Sequence, residues 1–303
     1  MTSTMIATDR QHEFALGTEQ RFPLALESTL PAIWDAYERS LVDVWDPEAA
    51  VHWDRLDVAA WDADQRAAGA LVWSHLAWVE FPAIAESEAT LVRACLDLGV
   101  DIDIKYCLSM RAVERARSTD YGHLLASRLD HYESGSDDSV LAGLLDDDLA
   151  RRVLHVDTDL DAYLAAHVLA QAIVDLRMWE ATGRQAVAPI ANVVELIVRD
   201  KARMVDVAEL HLAHTLPSRD QADRVMIAGV VEHVMNNEEA AGRRVPALLS
   251  DGPLRDRLLA AHGIASSAGL GGVTDDAQSS IFRDASGEVT QRLAAIGVDV
   301  SIG

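Results

Sequence analysis

Lysine is nearly missing from this 303-residue chain: only Lys105 and Lys201 occur, against 24 arginines. The two cysteines, Cys95 and Cys107, are too few for a disulfide framework and lack metal-binding spacing. The opening residues hold no basic stretch followed by an apolar run, so no export signal is expected. No uncharged apolar stretch approaches the roughly 20 residues of a membrane span, and a cytoplasmic protein is the expectation. Strand-like alternation and Asn-Gly hairpin signals are absent as well. Positive charge is scarce throughout. A formal charge of −23 would repel a phosphate backbone, which argues against nucleic acid as a partner.

Half of the residues are hydrophobic, enough for a substantial core, and they recur at helical spacing. Residues 1–30 read as a loose N-terminal arm, 31–249 as a helical domain, and 250–303 as a tail, partly loop, with a short helix near 286–297. A lead-in helix covers 32–45, and Asp62 reads as a helix cap in the connector 51–69. Four long helices are expected at about 66–98, with a kink at Pro82, 101–132, 157–182 and 189–215. Pro217 and Ser218 would cap a further helix over 218–242. The Gly/Ser-rich stretch 262–280 reads as loop. Six of the seven tryptophans lie between Trp34 and Trp78, which suggests an N-terminal segment packed on the bundle. The fold class is all-α.

Each long helix carries polar residues on its apolar face. In the first, Trp73, Leu76, Glu80, Ala83, Ser87 and Leu91 align, with Glu86 to one side. The second aligns Cys107, Met110, Glu114, Arg117, Tyr121 and Leu124. The third aligns Leu160, Leu164, Val168, Gln171, Val174 and Met178, with His167 beside them. In the fourth, "VRDKARM" (198–204) puts Lys201 and Met204 in a stripe with Val194, Ile197, Ala208 and Leu212.

The segments "YERSLVDVWDPEAAVHWD" (37–54), "VERAR" (113–117) and "LIVRDKARM" (196–204) resemble the ferritin-like superfamily, in the branch of ribonucleotide reductase small subunits and di-iron oxygenases. The resemblance covers roughly residues 30–245 and implies a four-helix bundle with extra N- and C-terminal helices. It also implies carboxylate and Glu-x-x-His ligands from the four helices. The implied metal positions are Glu80 or Glu86, Glu114, Arg117, Gln171, Lys201 and Met204. Most of these residues cannot serve: Arg and protonated Lys offer no lone pair, and a thioether is a soft, weak ligand.

The expectation is therefore a bundle that keeps its buried carboxylates but balances them with Lys201 and Arg117 in place of iron, with no cofactor. The resemblance then implies a non-catalytic subunit, in a homo- or hetero-oligomer with a related di-iron protein. One alternative is an oxidoreductase with di-iron or manganese/iron, using Glu80 or Glu86, Glu114, His167, Asp175 and Asp200 or Asp206. Another is a metal-free pocket in which Arg117 and Lys201 attract a carboxylate ligand. His211 and His214 have a spacing that can share a metal on one helix face, but they read better as surface or core histidines. His123 lies on a different face of its helix from Glu114. The acidic run 144–148 reads as solvated loop or cap.

Overall fold

The computed structural model describes residues 26–97, 99–134, 149–155, 157–237 and 241–303. Among them the regular structure is helical, apart from one isolated bridge between Ala186 and Leu270. None of these helices is long and apolar enough to cross a membrane. The arm residues 1–25 and the acidic run 144–148 lie outside the described residues.

Helix α1 (Pro31–Val42) begins at a proline, which suits a first turn whose N–H would lack an acceptor. The Asp103 carboxylate accepts from the backbone N–H of Thr29 and Leu30 at 2.8 and 2.7 Å, which anchors α1 to the first turn of the long helix that begins at Ile102. Asp62 caps α2 (Ala63–Glu80) as expected, in a reciprocal capping box with Gln65. The helix then breaks at Phe81, and α3 (Pro82–Leu96) starts on the proline expected to kink it. Helix α4 (Ile102–Leu129) runs against both α2 and α3. A short α5 (Leu149–Leu154) follows and packs on α3.

The third long helix is not a plain α-helix. After α6 (Leu160–Tyr163) the chain winds as a π-helix over Leu164–Ala170, then continues as α7 (Gln171–Arg184). Such insertions shift the phase of a helix face, and they recur at functional sites. Helix α8 (Ala188–Thr215) packs on α7 and the π segment and also touches α4. Asp220, rather than Ser218, caps α9 (Gln221–Met235), because its carboxylate accepts from the N–H of Asp223. Pro217 and Ser218 belong to a separate 3-10 turn.

The tail departs from expectation. It forms two full helices, α10 (Pro253–Ser267) and α11 (Asp275–Ala295), joined by residues 268–274. The glycines that suggested a long loop are used for contact. Gly271 sits at φ +87° against Trp73 and Thr182, and the pro-chiral face of Gly272 lies on the backbone of α10. Helix α10 lies along α2, and α11 along α7.

The tryptophans join the N-terminal segment to this scaffold. Trp73 is fully buried against both Tyr121 and the equally buried Trp179, and Trp45 and Trp78 are nearly as buried. Buried indoles need acceptors. Trp61, Trp73 and Trp78 donate to the carbonyls of Ala268, Leu270 and Glu133, and Trp45 donates to Asp200.

Candidate functional site

The fourth-helix stripe is buried as its spacing requires: Val194, Ile197, Lys201, Met204, Ala208 and Leu212 all face the interior. Lys201 therefore enters the centre of the molecule. Its Nζ donates to Glu80 Oε1 at 2.8 Å and to Asp175 Oδ2 at 2.7 Å, bringing α8, α2 and α7 together. Arg115 of α4 binds the same two carboxylates at 2.8 and 2.9 Å, and Arg244 reaches Asp175 at 2.7 Å. Two carboxylates thus meet three cations.

Two further groups flank this cluster. Glu86 of α3 takes Arg111 at 2.8 Å and the Tyr163 hydroxyl at 2.7 Å, so both glutamates of the first long pattern are buried and paired. On the other side Glu114 and Asp200 share Arg203, at 2.9 and 2.6 Å, and Arg203 also holds Asp43 at 3.0 Å. This group carries more negative charge than Arg203 cancels, whereas the Lys201 cluster carries an excess of positive charge.

The protonation states follow. Burial opposes ionisation of Glu80, but Arg115 and Lys201 outweigh it and hold the carboxyl below its ordinary range. Asp175 is likewise held well below its ordinary range, since Arg244, Lys201 and Arg115 together overcome its burial. Burial also opposes Glu86, and Arg111 with Tyr163 overcomes it. For Lys201, burial and the like charge of Arg115 pull the ammonium down while Asp175 and Glu80 support it; with two carboxylate oxygens in contact, we assign it as charged. Glu114 differs. Burial and the adjacent Asp200 push its carboxyl up to about 7, which Arg203 only partly offsets.

A cavity of about 20 Å³ lies between α4, the third helix and α8, lined by Arg111, Glu114, Arg115, Lys201 and Met204 among others. That is room for one water. It is too small for the organic carboxylate that a ligand pocket at Lys201 was expected to take.

Several expected positions are not part of this network. Arg117 is only half-buried: the buried face of α4 is turned by one residue, so that Arg111 and Arg115 are the cations that enter. Gln171 is bonded to His167 at 2.7 Å, and the third-helix carboxylate is Asp175, one turn further on. Met204 is buried, as expected. His211 is buried against Asp161 at 3.3 Å, His214 is half-exposed near Asp101, and His123 stacks edge-on against Tyr132. Arg111, Arg115, Arg203, Arg244 and Tyr163 were not singled out from the sequence. An i, i+4 pairing of Arg111 and Arg115 flanking Glu114 was the available signal for two of them. Arg244 lies past α9, outside any periodic pattern.

These donors do not suit a pair of hard divalent ions. The carboxylates that would bridge metals already hold Lys201, Arg115 and Arg203, and His167 is engaged by Gln171. Among the described residues, no three His, Cys, Asp or Glu side chains converge on one point that could hold an ion. The alternative set is divided: Glu86 is held by Arg111, Glu114 and Asp200 share Arg203, Asp175 holds Lys201, and His167 is bonded to Gln171. Asp206 lies apart from them, exposed on α8. Compared with family models and with curated proteins, the chain matches none.

Proposed function

We propose that this chain is a ferritin-like helical protein in which side-chain cations do the electrostatic work of a di-iron centre. In this reading it serves as a non-catalytic, auxiliary subunit beside a metal-bearing relative of the di-iron oxygenase type. The observation that carries the reading is the position of Lys201, which touches a carboxylate from α2 and one from α7 where those helices meet α8. Isolated buried carboxylates are costly, and removing metal from a bundle that retained them would leave them unbalanced. Lys201, Arg115 and Arg244 remove that cost at Glu80 and Asp175. The arrangement keeps the helices in register without an ion and leaves no space for substrate at the centre.

Elemental analysis tests this directly. Protein produced with iron and manganese in the medium should contain well under one equivalent of either, alone or with a co-purifying chain. Near-stoichiometric metal would overturn the reading. Co-expression with a neighbouring di-iron protein should give a stable complex, and a chain that stays alone under those conditions would remove the auxiliary role.

A further inference from the structure

The cavity beside Lys201 has more donors on its walls than acceptors. Arg111, Arg115 and Lys201 line it together with the apolar Val168, Ala172 and Met204. Among the described residues, the side-chain hydrogen bonds of both arginines leave from Nη1 alone. Arg111 reaches Glu86 this way, and Arg115 reaches Glu80 and Asp175. A guanidinium carries five N–H groups, so each arginine keeps others for an occupant. Lys201 uses two of its three N–H groups, on Glu80 and Asp175.

The acceptors on the same walls are mostly taken. Asp200 has both oxygens engaged, Oδ1 by Arg199 and Arg203 and Oδ2 by Trp45. The Ser118 hydroxyl is turned to the Glu114 carbonyl. Glu114 gives Oε1 to Arg203 and keeps Oε2. Charge leans the same way, because Glu80 and Asp175 are two carboxylates against Lys201, Arg115 and Arg244, while Glu86 cancels Arg111. Glu114 is a poor counter-charge to this excess, since burial and Asp200 push its carboxyl up to about 7. An occupant that accepts hydrogen bonds and carries one negative charge suits these walls better than a cation. The volume limits its size: about 20 Å³, against the roughly 10–15 Å³ that one water requires. Carboxylates, phosphate and sulfate are too large.

We propose that this cavity binds a single halide ion, chloride being the common one, on N–H donors of Arg111, Arg115 and Lys201. The ion balances the surplus cation of the Lys201 cluster and joins α4 to α8 at their buried contact. Surrounding donors and uncancelled positive charge offset the loss of its hydration. Val168, Ala172 and Met204 close the rest of the space. The inference concerns the cluster itself and needs no partner subunit.

The test uses full-length protein and urea denaturation in sodium bromide, with sodium gluconate, too bulky for the cavity, holding ionic strength constant. At pH 6 rising bromide should lower the unfolding constant about ten-fold and then level off, as one site in the native state requires. At pH 8 Glu114→Gln should bind bromide about ten-fold more tightly than the wild type, because a neutral amide then replaces a carboxylate on the wall. Ala172→Val, which puts two methyl groups into the cavity, should remove the bromide dependence. Should that variant not fold, anomalous scattering from wild-type crystals grown in bromide decides, with one peak expected inside the cavity. Unfolding that ignores bromide, an effect that never saturates, or a saturating effect kept by folded Ala172→Val would overturn the proposal. So would equal bromide affinity of Glu114→Gln and wild type at pH 8, or a water where the anomalous peak is expected. Metal content tests the proposed function and does not enter this measurement.

Discussion

Lys201 Nζ stands 2.8 Å from a Glu80 oxygen and 2.7 Å from an Asp175 oxygen, and all three side chains are shielded from water. Without Lys201 the two carboxylates still face Arg115 and Arg244, whereas without Asp175 three cations crowd Glu80 alone. Asp175→Asn should therefore destabilise the fold by about 3–5 kcal/mol in urea denaturation, and by more than Lys201→Met. Lys201→Met/Asp175→Asn, which restores the original charge difference, should lose much less than the sum of its single changes. Additive losses would show that the two groups do not act as a unit.

Glu114 gives a pH dependence of opposite sign to an ordinary ion-paired acid. Its folded carboxyl titrates near 7, above the 4.5 of the unfolded chain, so between those values the native state binds the extra proton. Its contribution is full below about 4.5 and is lost as pH rises through 7, at most about 3 kcal/mol from the size of the shift. Glu114→Gln should flatten stability over this window. An unchanged slope would place the titration elsewhere.

Two buried histidines act in the other direction. Burial lowers His75 to about 4 and His262 to about 3, so both fold neutral, while the unfolded chain takes up protons below 6.5. Their contribution is present above 6.5 and lost as pH falls toward 4 and 3. His262 Nδ1 accepts the Val273 N–H at 3.1 Å, and His75 Nε2 donates to the Arg243 carbonyl at 2.9 Å. His75→Gln should reduce the acid sensitivity of unfolding between pH 6.5 and 4. If that sensitivity persists in full, His75 is not its source.

Gly272 offers a steric test of the tail. A methyl group there would collide with the His262 carbonyl and stand 2.6 Å from the Ser266 nitrogen, both rigid backbone atoms. Gly272→Ala should separate α10 from the 268–274 connection and cost several kcal/mol, about the scale of severe overpacking. Gly287→Ala, on α11 with open space around it, should be neutral or slightly stabilising. Thermal unfolding of the two variants separates these outcomes.

The helices were legible because apolar spacing is a local property. The 28-residue α8 appears within a residue of its expected ends, and Asp62 and Pro82 mark the boundaries of α2 and α3. Lys201 was legible for the same reason, as a charge inside an apolar stripe. The tail was not: Gly271 and Gly272 read as loop residues, yet they are small because Trp73, Thr182 and the α10 backbone crowd them. On α4, arginines occur at 111, 115, 117 and 128, and helical phase alone did not select those that turn inward.

By itself, then, the chain of residues determined the helices, their polar interruptions and a shortage of positive charge, since each follows from neighbours a few positions apart. Which carboxylate meets which cation was decided only in three dimensions. The π segment and the one-residue turn of α4 set the phases of separate helices, and Arg244 completes the Asp175 cluster from beyond α9. Electrostatic pairing acts over a few ångströms of space, whatever the distance along the chain.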